Sequence, residues 1–401
     1  PSVEPVGAQA QSELLVMAAQ AAAAAGTFRQ AVALMRRAID QRAAREASSS
    51  RGARDAATRV KLGQLYEELG RMQWNAGDRE GAFDAMHRAL GVMPSQPSRA
   101  RGQVQASLAQ HLMIDGRFAE SAKVAAEALD TIDRAEAAGE TVLAVRAHAL
   151  CTKGVNVAYL GDPGAGLALL EQAASLSREA GRLDDLMRVA ANRTYLLDLD
   201  LRREEALEVV QEFLAEARAG GLEATYGAFL RGNAADILFQ LGRWEEAERV
   251  CRADIKWLRD PGRDVSWLSL LVLGLLLTES RADDEAASLV GRTLLELQAV
   301  APGQSTGIEL RSAISLALWN GRFDEALRIA EREWPRVLES DELGVIAYAA
   351  SSSLEAAAAA AEHGRANADT GLIARARSLT EDVLARAEEH ARTSPLGPEL
   401  G

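Results

Sequence analysis

The chain has 401 residues, of which 45 are lysine or arginine and 58 are aspartate or glutamate, giving a formal net charge of −13 at pH 7. An acidic surface repels the phosphate backbone of nucleic acids, so direct contact of this segment with DNA or RNA is not expected. Hydrophobic residues make up 48% of the chain but aromatic residues only 4%, a composition that suits closely packed helices with small side chains.

A short phrase recurs along the chain: a turn residue, usually glycine, then an aromatic or polar residue, then acidic residues and a small one. The turn residues fall at positions 26, 77, 116, 161, 201, 242, 281 and 321, so most intervals are 39 to 45 residues. A fixed period of this length is typical of a solenoid built from stacked helix pairs. In each unit the turn residue is numbered position 15, the helix before it is helix A and the helix after it is helix B.

Two positions flanking the turn predict close packing of helices A and B. Position 8, in helix A, is glycine in three units, including Gly70 and Gly154, and position 20, in helix B, is small in all eight, as at Ala82 and Gly166. Glycine at the turn itself can adopt a positive φ and end helix A. Position 17 is aromatic in four units, as at Phe118, and is expected to fill the gap between successive pairs.

In chain order, the pattern predicts an all-α fold: a right-handed superhelical solenoid of about nine helix pairs, forming a single repeat domain over residues 1–401. A polar, arginine-rich stretch at 41–54 is expected to be a mobile loop. The ninth pair is expected at 351–363 and 370–390, with a longer turn between its helices. The predicted repeats cover 12–41, 57–93, 98–137, 141–180, 184–219, 222–259, 265–299, 306–340 and 342–391.

The longest apolar run, Val265 to Leu277, has about 13 residues and is shorter than the roughly 20 that cross a bilayer. It is predicted to be a buried helix, and no membrane contact is expected. Cys151 and Cys251 lie in repeats 4 and 6, a separation greater than the about 7 Å that a disulfide can bridge between Cα atoms. Two free thiols favour a cytoplasmic location.

The pattern at positions 8, 15, 17 and 20 resembles the tetratricopeptide repeat. The stretches 117–130, 161–181 and 225–250, the last reading TYGAFLRGNAADILFQLGRWEEAERV, resemble the helical-repeat region of large actinobacterial LuxR-type regulators of the signal-transducing ATPase class. Members of that family place an ATP-binding module before the repeats and a helix-turn-helix domain after them. The resemblance implies that this chain is the arm that senses an inducer or a partner protein.

The resemblance also implies that ATP would bind a separate domain. The chain contains no G-x-x-x-x-G-K-[ST] sequence, the loop that cradles nucleotide phosphates. No cofactor is therefore expected in this chain.

Three features that could indicate chemistry have structural alternatives. Residues 303–307 spell G-x-S-x-G, but a serine hydrolase requires a strand before that motif, and a loop between repeats is predicted instead. Residues 161–166 are glycine-rich and open a helix, yet they lack the lysine and the strand of a phosphate loop, so a repeat turn is predicted. The five histidines, at 87, 111, 148, 363 and 390, lack the spacing of metal ligands and are expected at the surface or in the groove.

The remaining candidate surface is the concave face formed by the A helices, where positions 2, 5, 9 and 12 are exposed in tetratricopeptide arrays, with position 6 beside them. Mixed polar and aromatic side chains on this face are suited to a peptide or small ligand; a solvated inner wall is the alternative. The candidate groove residues are Gln64, Glu67, Arg71, Trp74, Gln103, Gln110, Arg188, Asn192, Tyr195, Phe229, Asn233, Asp236, Arg311 and Ser315.

Three functions follow from these features. The first is a non-catalytic sensor arm of a LuxR-type ATP-dependent regulator, which binds a protein, a peptide or a small-molecule effector in its groove. The second is a free-standing adaptor that binds a peptide. Self-association is a further alternative for both the sensor arm and the adaptor. The third is an enzyme built from stacked helix pairs, such as a helical-toroid glycosidase or lyase, which the few aromatics and the lack of paired acids outside helix starts disfavour.

Overall fold

The structure is a computed structural model and describes residues 8–48, 56–221, 223, 227–258, 267–281, 283–297, 306–338 and 343–393. The described residues form eighteen α-helices and no β-strand, which confirms the all-α prediction. The helices are α1 (Ala8–Ala24), α2 (Phe28–Ser48), α3 (Ala56–Asn75), α4 (Arg79–Val92), α5 (Arg99–Ile114), α6 (Phe118–Ala137), α7 (Leu143–Tyr159), α8 (Pro163–Glu179), α9 (Leu183–Leu199), α10 (Arg203–Ala219), α11 (Ala228–Gln240), α12 (Trp244–Leu258), α13 (Trp267–Ser280), α14 (Asp284–Leu297), α15 (Thr306–Trp319), α16 (Phe323–Val337), α17 (Leu343–Ala366) and α18 (Thr370–Thr393).

Odd-numbered helices are the A helices of nine pairs, and even-numbered helices are the B helices. The predicted turn glycines have positive φ in six of the pairs, with values from 67° to 123° at Gly321 and Gly161. At the fifth turn Leu201 takes the same left-handed conformation, with φ 60°. A residue other than glycine is strained in this conformation. The repeat therefore requires the left-handed turn even where the turn residue is not glycine.

The chain separates into two compact units: unit 1 contains residues 1–111 and 123–149, and unit 2 contains residues 112–122 and 150–401. Unit 1 has a core in which side chains of α1 and α2, such as Met35, pack on those of α3, such as Leu62 and Leu69. Unit 2 has three consecutive cores, of which the first includes Phe118 and side chains of α7 and the last reaches α18. A single repeat domain over residues 1–401 stays a prediction.

Unit 2 curves towards its A helices. In it α9, α11, α13, α15 and α17 contact one another in succession, whereas among its described B helices sustained contact occurs only between α16 and α18. A stack whose helices approach more closely on one side bends towards that side and forms an extended concave surface there. The A helices of unit 2 therefore line its concave face.

Glycine at position 8 allows helices A and B to touch. A Cβ atom added to Gly154 would lie 2.9 Å from the carbonyl oxygen of Gly166, and one added to Gly70 would lie 3.0 Å from that of Ala82. These distances are shorter than normal carbon–oxygen contacts, so only glycine fits without a shift of the backbone. The close packing predicted for positions 8 and 20 is confirmed in these two pairs.

Two predicted boundaries are wrong. The stretch expected to be a loop from 41 to 54 is helical as far as Ser48, because α2 continues beyond the predicted end of the first repeat; residues 49–55 lie outside the described part. The ninth pair has longer helices than expected, since α17 already begins at Leu343 and the turn to α18 is confined to 367–369.

The two motifs considered for catalysis are at helix starts. In the glycine-rich stretch, Asp162 caps α8 by accepting a hydrogen bond from the backbone N–H of Ala165 at 2.8 Å, with Pro163 in the first turn, as expected for a repeat turn. In the G-x-S-x-G stretch, Thr306 begins α15, and the residues before it, including Ser305, lie outside the described part.

The apolar run predicted to be a buried helix forms most of α13, which is buried from Leu271 to Thr278. None of the described helices combines the length and hydrophobicity that are needed to cross a lipid bilayer. Cys151 and Cys251 are both buried and free. Burial raises the pKa of Cys251 to about 12 and also raises that of Cys151, so both thiols stay protonated at neutral pH.

Candidate ligand groove

A pocket opens in unit 2 between α9, α11 and the part of α7 from residue 150 onwards. Its empty space is about 290 Å³ when the solvent at its open mouth is included, so the enclosed part is a shallow hollow. Three of the predicted groove residues, Asn192, Tyr195 and Phe229, line it together. Sequence mapping missed the other lining residues, which are Val155, Tyr159, Ala191 and Leu196.

Stacked aromatic rings form one wall of this pocket. Phe118 stacks on Tyr159 with ring centroids 4.3 Å apart, and Tyr159 stacks on Tyr195 with centroids 5.8 Å apart. Phe118 is fully buried and holds the row at its inner end, where it fills the gap between successive pairs as predicted for position 17. Stacked, buried rings have few alternative rotamers, so this wall is preorganised.

The opposite side of the pocket has a ring and an amide that can adapt. Phe229 lines the pocket, yet it is 46% exposed to solvent. The side-chain amide of Asn192 donates to the Cys151 sulfur at 3.3 Å. Since a thiol is a weak acceptor, Asn192 can exchange this contact for a hydrogen bond to a ligand.

Several other predicted groove residues have polar groups that join one A helix to the next. Their side chains are buried, and their hydrogen bonds lie within the packing between helices, so these polar atoms are already engaged. A ligand contact by these residues stays a prediction. The residues are Glu67, which accepts from Ser107 at 2.7 Å; Arg188, which donates to Thr152 at 3.2 Å; Asn233, which donates to the Ala191 carbonyl at 3.3 Å; and Ser315, which donates to Glu279 at 3.0 Å.

In unit 1 the candidate residues surround Trp74, which is half-buried. Its ring makes edge contacts with His111, centroid to centroid 4.9 Å, and with Phe83 at 5.9 Å, while the Arg79 guanidinium lies 5.3 Å above it. Burial raises the pKa of Glu67, against the opposing charge of Arg71. The other candidates here are Gln64, which is exposed, and Gln103 and Gln110, which are half-buried.

His111 corrects the expectation that all histidines lie at the surface or in the groove. It is buried, and its Nδ1 lies 2.7 Å from the Ser107 carbonyl oxygen. The contacts with the Ser107 carbonyl, four residues earlier on the same helix, and with the Trp74 ring hold the His111 side chain in this position. Among the described residues, no group of three or more histidine, cysteine, aspartate or glutamate side chains could hold a metal ion.

A second polar cluster lies further along α11. Burial, and after it repulsion from Asp198, raises the pKa of Asp236 to about 7, while a hydrogen bond from Gln240 and the charge of Arg203 oppose the shift. Burial raises the pKa of Asp198 as well, although Arg203 Nε donates to its Oδ1 at 2.7 Å.

The cluster extends to α17, three A helices away. Arg311 of α15 donates to the Tyr348 hydroxyl at 3.2 Å and to Glu279 at 3.4 Å. Burial raises the pKa of Tyr348, to which the negative charge of Asp236 contributes. Predicted residues from two separate repeats, Asp236 and Arg311, therefore lie in one electrostatic neighbourhood.

The positions that sequence mapping missed have a recognisable signal. Val155 is at position 9 of its repeat and Tyr159 is at position 13, one helical turn further along the same face. Val155 is apolar and so differs from the polar and aromatic candidates, and position 13 is not one of the expected groove positions. The pocket itself also depends on the spacing between neighbouring A helices, which a single repeat does not specify.

Comparisons with known proteins show the fold. No protein-family model matches the chain, and no curated protein sequence matches it. Among solved structures, a Rap protein complexed with competence and sporulation factor has a TM-score of 0.60 at 11% identity, covering 94% of this chain and 99% of that one. The quorum sensor NprR from B. thuringiensis, in its apo form, has a TM-score of 0.54 at 13% identity, covering 91% and 99%. NprR in complex with its cognate peptide NprX has a TM-score of 0.53 at 11% identity, covering 80% and 88%. The chain thus shares the tetratricopeptide-like helical-repeat fold of these proteins.

Proposed function

We propose that this chain is a non-catalytic sensor whose unit 2 groove binds a peptide, or an extended segment of a partner protein. The observation on which this rests is the pocket at α7, α9 and α11. It combines a rigid aromatic wall at Tyr159 and Tyr195 with an exposed ring at Phe229 and a weakly engaged amide at Asn192. An apolar pocket with few orienting polar groups is the usual form of a binding site.

The dimensions of the pocket favour a peptide over a metabolite. The about 290 Å³ of empty space includes the solvent at its open mouth, so the pocket is a shallow hollow that contacts part of a longer ligand and does not surround a drug-sized molecule. An extended ligand would continue from the pocket along the concave face, where the A helices follow one another. The shared fold supports the same ligand class, since structures of that fold include NprR with the peptide NprX.

The finer proposal is that this sensor belongs to a LuxR-type ATP-dependent transcriptional regulator. The stretch 225–250, which carries that resemblance, contains Phe229, Asn233 and Asp236, so the similarity covers part of the proposed groove. A free-standing peptide adaptor would have the same groove without a nucleotide module. Sequencing the flanking reading frame separates the two: the regulator requires an upstream phosphate loop and a downstream helix-turn-helix, and the adaptor has neither.

Selection from a display library of random octapeptides tests peptide binding by the full chain. We expect wild-type protein to enrich peptides that share an apolar residue, and Phe229→Ala to weaken their binding about tenfold or more, as loss of an aromatic anchor does. Leu384→Ala is the matched control, because Leu384 is 48% exposed, close to the exposure of Phe229, and lies on the B helix α18 outside the pocket. Absence of any enriched peptide, or equal binding by wild type and Phe229→Ala, would overturn the proposal.

A further inference from the structure

The pocket and the Asp236 cluster lie on one face of α11. Phe229 and Asp236 are seven residues apart, which is close to two helical turns, so their side chains leave the helix in similar directions. At 1.5 Å per residue the separation along the helix is about 10.5 Å. On α9, Tyr195 of the pocket and Asp198 of the cluster are likewise about one turn apart. Two distinct chemical environments, one apolar and one acidic, are therefore adjacent in the groove.

Asp236 has no cation of its own. Its Oδ1 atom is buried and has no hydrogen-bond partner, although the residue as a whole is only partly buried. Arg203, the positive charge that lowers the pKa of Asp236, bonds Asp198 at 2.7 Å. Arg311, on the far side of the cluster, bonds Glu279 and the Tyr348 hydroxyl. Both arginines therefore bond groups other than Asp236, and neither of them forms an ion pair with the Asp236 carboxyl.

An unmatched carboxyl in such a site destabilises the fold unless something compensates for it. Burying a charged group without a partner is unfavourable, and an apolar side chain of similar size would fill the same space without that penalty. Groups of this kind concentrate at functional sites because a ligand supplies the missing interaction. Gln240 donates a hydrogen bond to the Asp236 carboxyl and the charge of Arg203 lowers its pKa, but the buried Oδ1 atom still has no hydrogen-bond partner.

We propose that Asp236 binds the lysine or arginine side chain of a peptide whose apolar side chain occupies the Phe229 pocket; this inference rests on the proposed function. An extended peptide advances about 3.3–3.6 Å per residue, so the about 10.5 Å between the two sites spans about three residues. The ligand is accordingly a peptide with a basic residue about three positions from an apolar one. The acidic character of the chain, with a net charge of −13, favours the approach of such a peptide.

The peptide selection described above tests this inference when it is repeated with Asp236→Asn, which keeps the shape of the side chain and removes its charge. We expect wild-type protein to enrich lysine or arginine about three positions from the apolar residue. Asp236→Asn should retain the apolar preference and lose the basic one. For a synthetic peptide from the wild-type selection, binding should weaken about tenfold, and replacing its lysine or arginine with norleucine should abolish the difference between the two proteins.

Asp184→Asn is the matched control, because it makes the same chemical change at an exposed position of α9 and should leave both preferences intact. Circular dichroism of each variant checks that the fold is retained. Wild-type selection without a basic preference, or the same preference in Asp236→Asn, overturns the inference while leaving peptide binding in place. Failure to enrich any peptide, or enrichment that Phe229→Ala does not affect, contradicts the proposed function instead.

Discussion

Asp236 is placed where its neutral form is favoured. Burial and the nearby carboxylate of Asp198 raise its pKa to about 7 from an ordinary value of 3.8. The folded protein therefore holds this proton more tightly than the unfolded chain does. The protonated Asp236 carboxyl makes its full contribution to the free energy of unfolding below about pH 4. This contribution is lost as the pH rises to about 7, above which the folded state contains a destabilised carboxylate.

Asp236→Asn should consequently stabilise the protein more in alkaline than in acidic solution. Because one pKa unit corresponds to about 1.36 kcal/mol, the gain in the free energy of unfolding should be on the order of 2 kcal/mol greater at pH 8 than at pH 5. Urea unfolding followed by circular dichroism at the two pH values measures it, with Asp184→Asn as the control. The same gain at both pH values would mean that the Asp236 carboxyl is not in the environment described.

Individual groove residues were predictable where helical spacing decides their direction. Asn192, Tyr195 and Phe229 were identified from their repeat positions, and all three line one pocket. Asn233 occupies the same repeat position as Asn192, and Glu67 occupies another expected groove position, yet their polar groups bond the neighbouring A helix or its side chains. Which of the two outcomes occurs depends on the distance and angle between successive pairs, and these are properties of the packed array rather than of one repeat.

At the scale of the helix, the recurring acidic residues have two roles. The sequence indicates that the acids after each turn favour the helix dipole, and Glu204, Glu205, Glu245 and Glu246 do lie in first turns. Arginines that precede several helices also form ion pairs with acids three residues later. The pairs are Arg117–Glu120, Arg182–Asp185, Arg202–Glu205, Arg243–Glu246 and Arg322–Glu325. All five arginines and four of the five acids are exposed, Asp185 being the half-buried one, so these four exposed pairs add little to stability.

A departure from the repeat pattern also has a structural reason. Position 27 is alanine in the first four units but aspartate in the sixth, at Asp254. This carboxylate is fully buried, accepts from Arg231 Nε at 2.6 Å and accepts from the Ser269 hydroxyl at 2.7 Å. It thereby joins α11, α12 and α13. The sequence shows that this B helix differs, but the partners come from two other helices and are not evident from the repeat.

Gly154→Ala should destabilise the protein by about 1–3 kcal/mol. The added methyl group would lie 2.9 Å from the Gly166 carbonyl oxygen and 3.2 Å from Leu169 and Leu170 side-chain atoms, so α7 and α8 must separate. Gly91→Ala, on α4, is the matched control because nothing lies within 4 Å of its added Cβ. That change should stabilise by about 0.5–1 kcal/mol through helix propensity. Chemical denaturation of both variants measures the contrast, and similar effects of the two would exclude close contact of α7 with α8.

At the scale of the whole chain, the groove chemistry arises from curvature. Asp236 of α11 influences Tyr348 of α17, although 112 residues separate them in sequence. Within unit 2, closer contact among A helices than among B helices brings such residues towards each other. The forty-residue period predicts a solenoid, but the convergence of distant repeats depends on small rotations between pairs that accumulate along the stack.

Contacts in such an array are mostly between neighbouring helices, so stability should be distributed along the chain rather than shared by all of it. Gly364→Ala tests this at the C-terminal pair, where the added Cβ would lie 2.9 Å from Ile373 and 3.1 Å from the Asp369 carbonyl oxygen. We expect hydrogen exchange of α17 and α18 to accelerate about tenfold or more, while α3 and α4 of unit 1 keep their protection. Gly371→Ala, whose added Cβ meets only the Asp369 carboxylate at 3.4 Å, should change neither region. Equal acceleration in all four helices would instead require that the two units unfold as one cooperative block, because only then can strain at one pair reach residues that do not contact it.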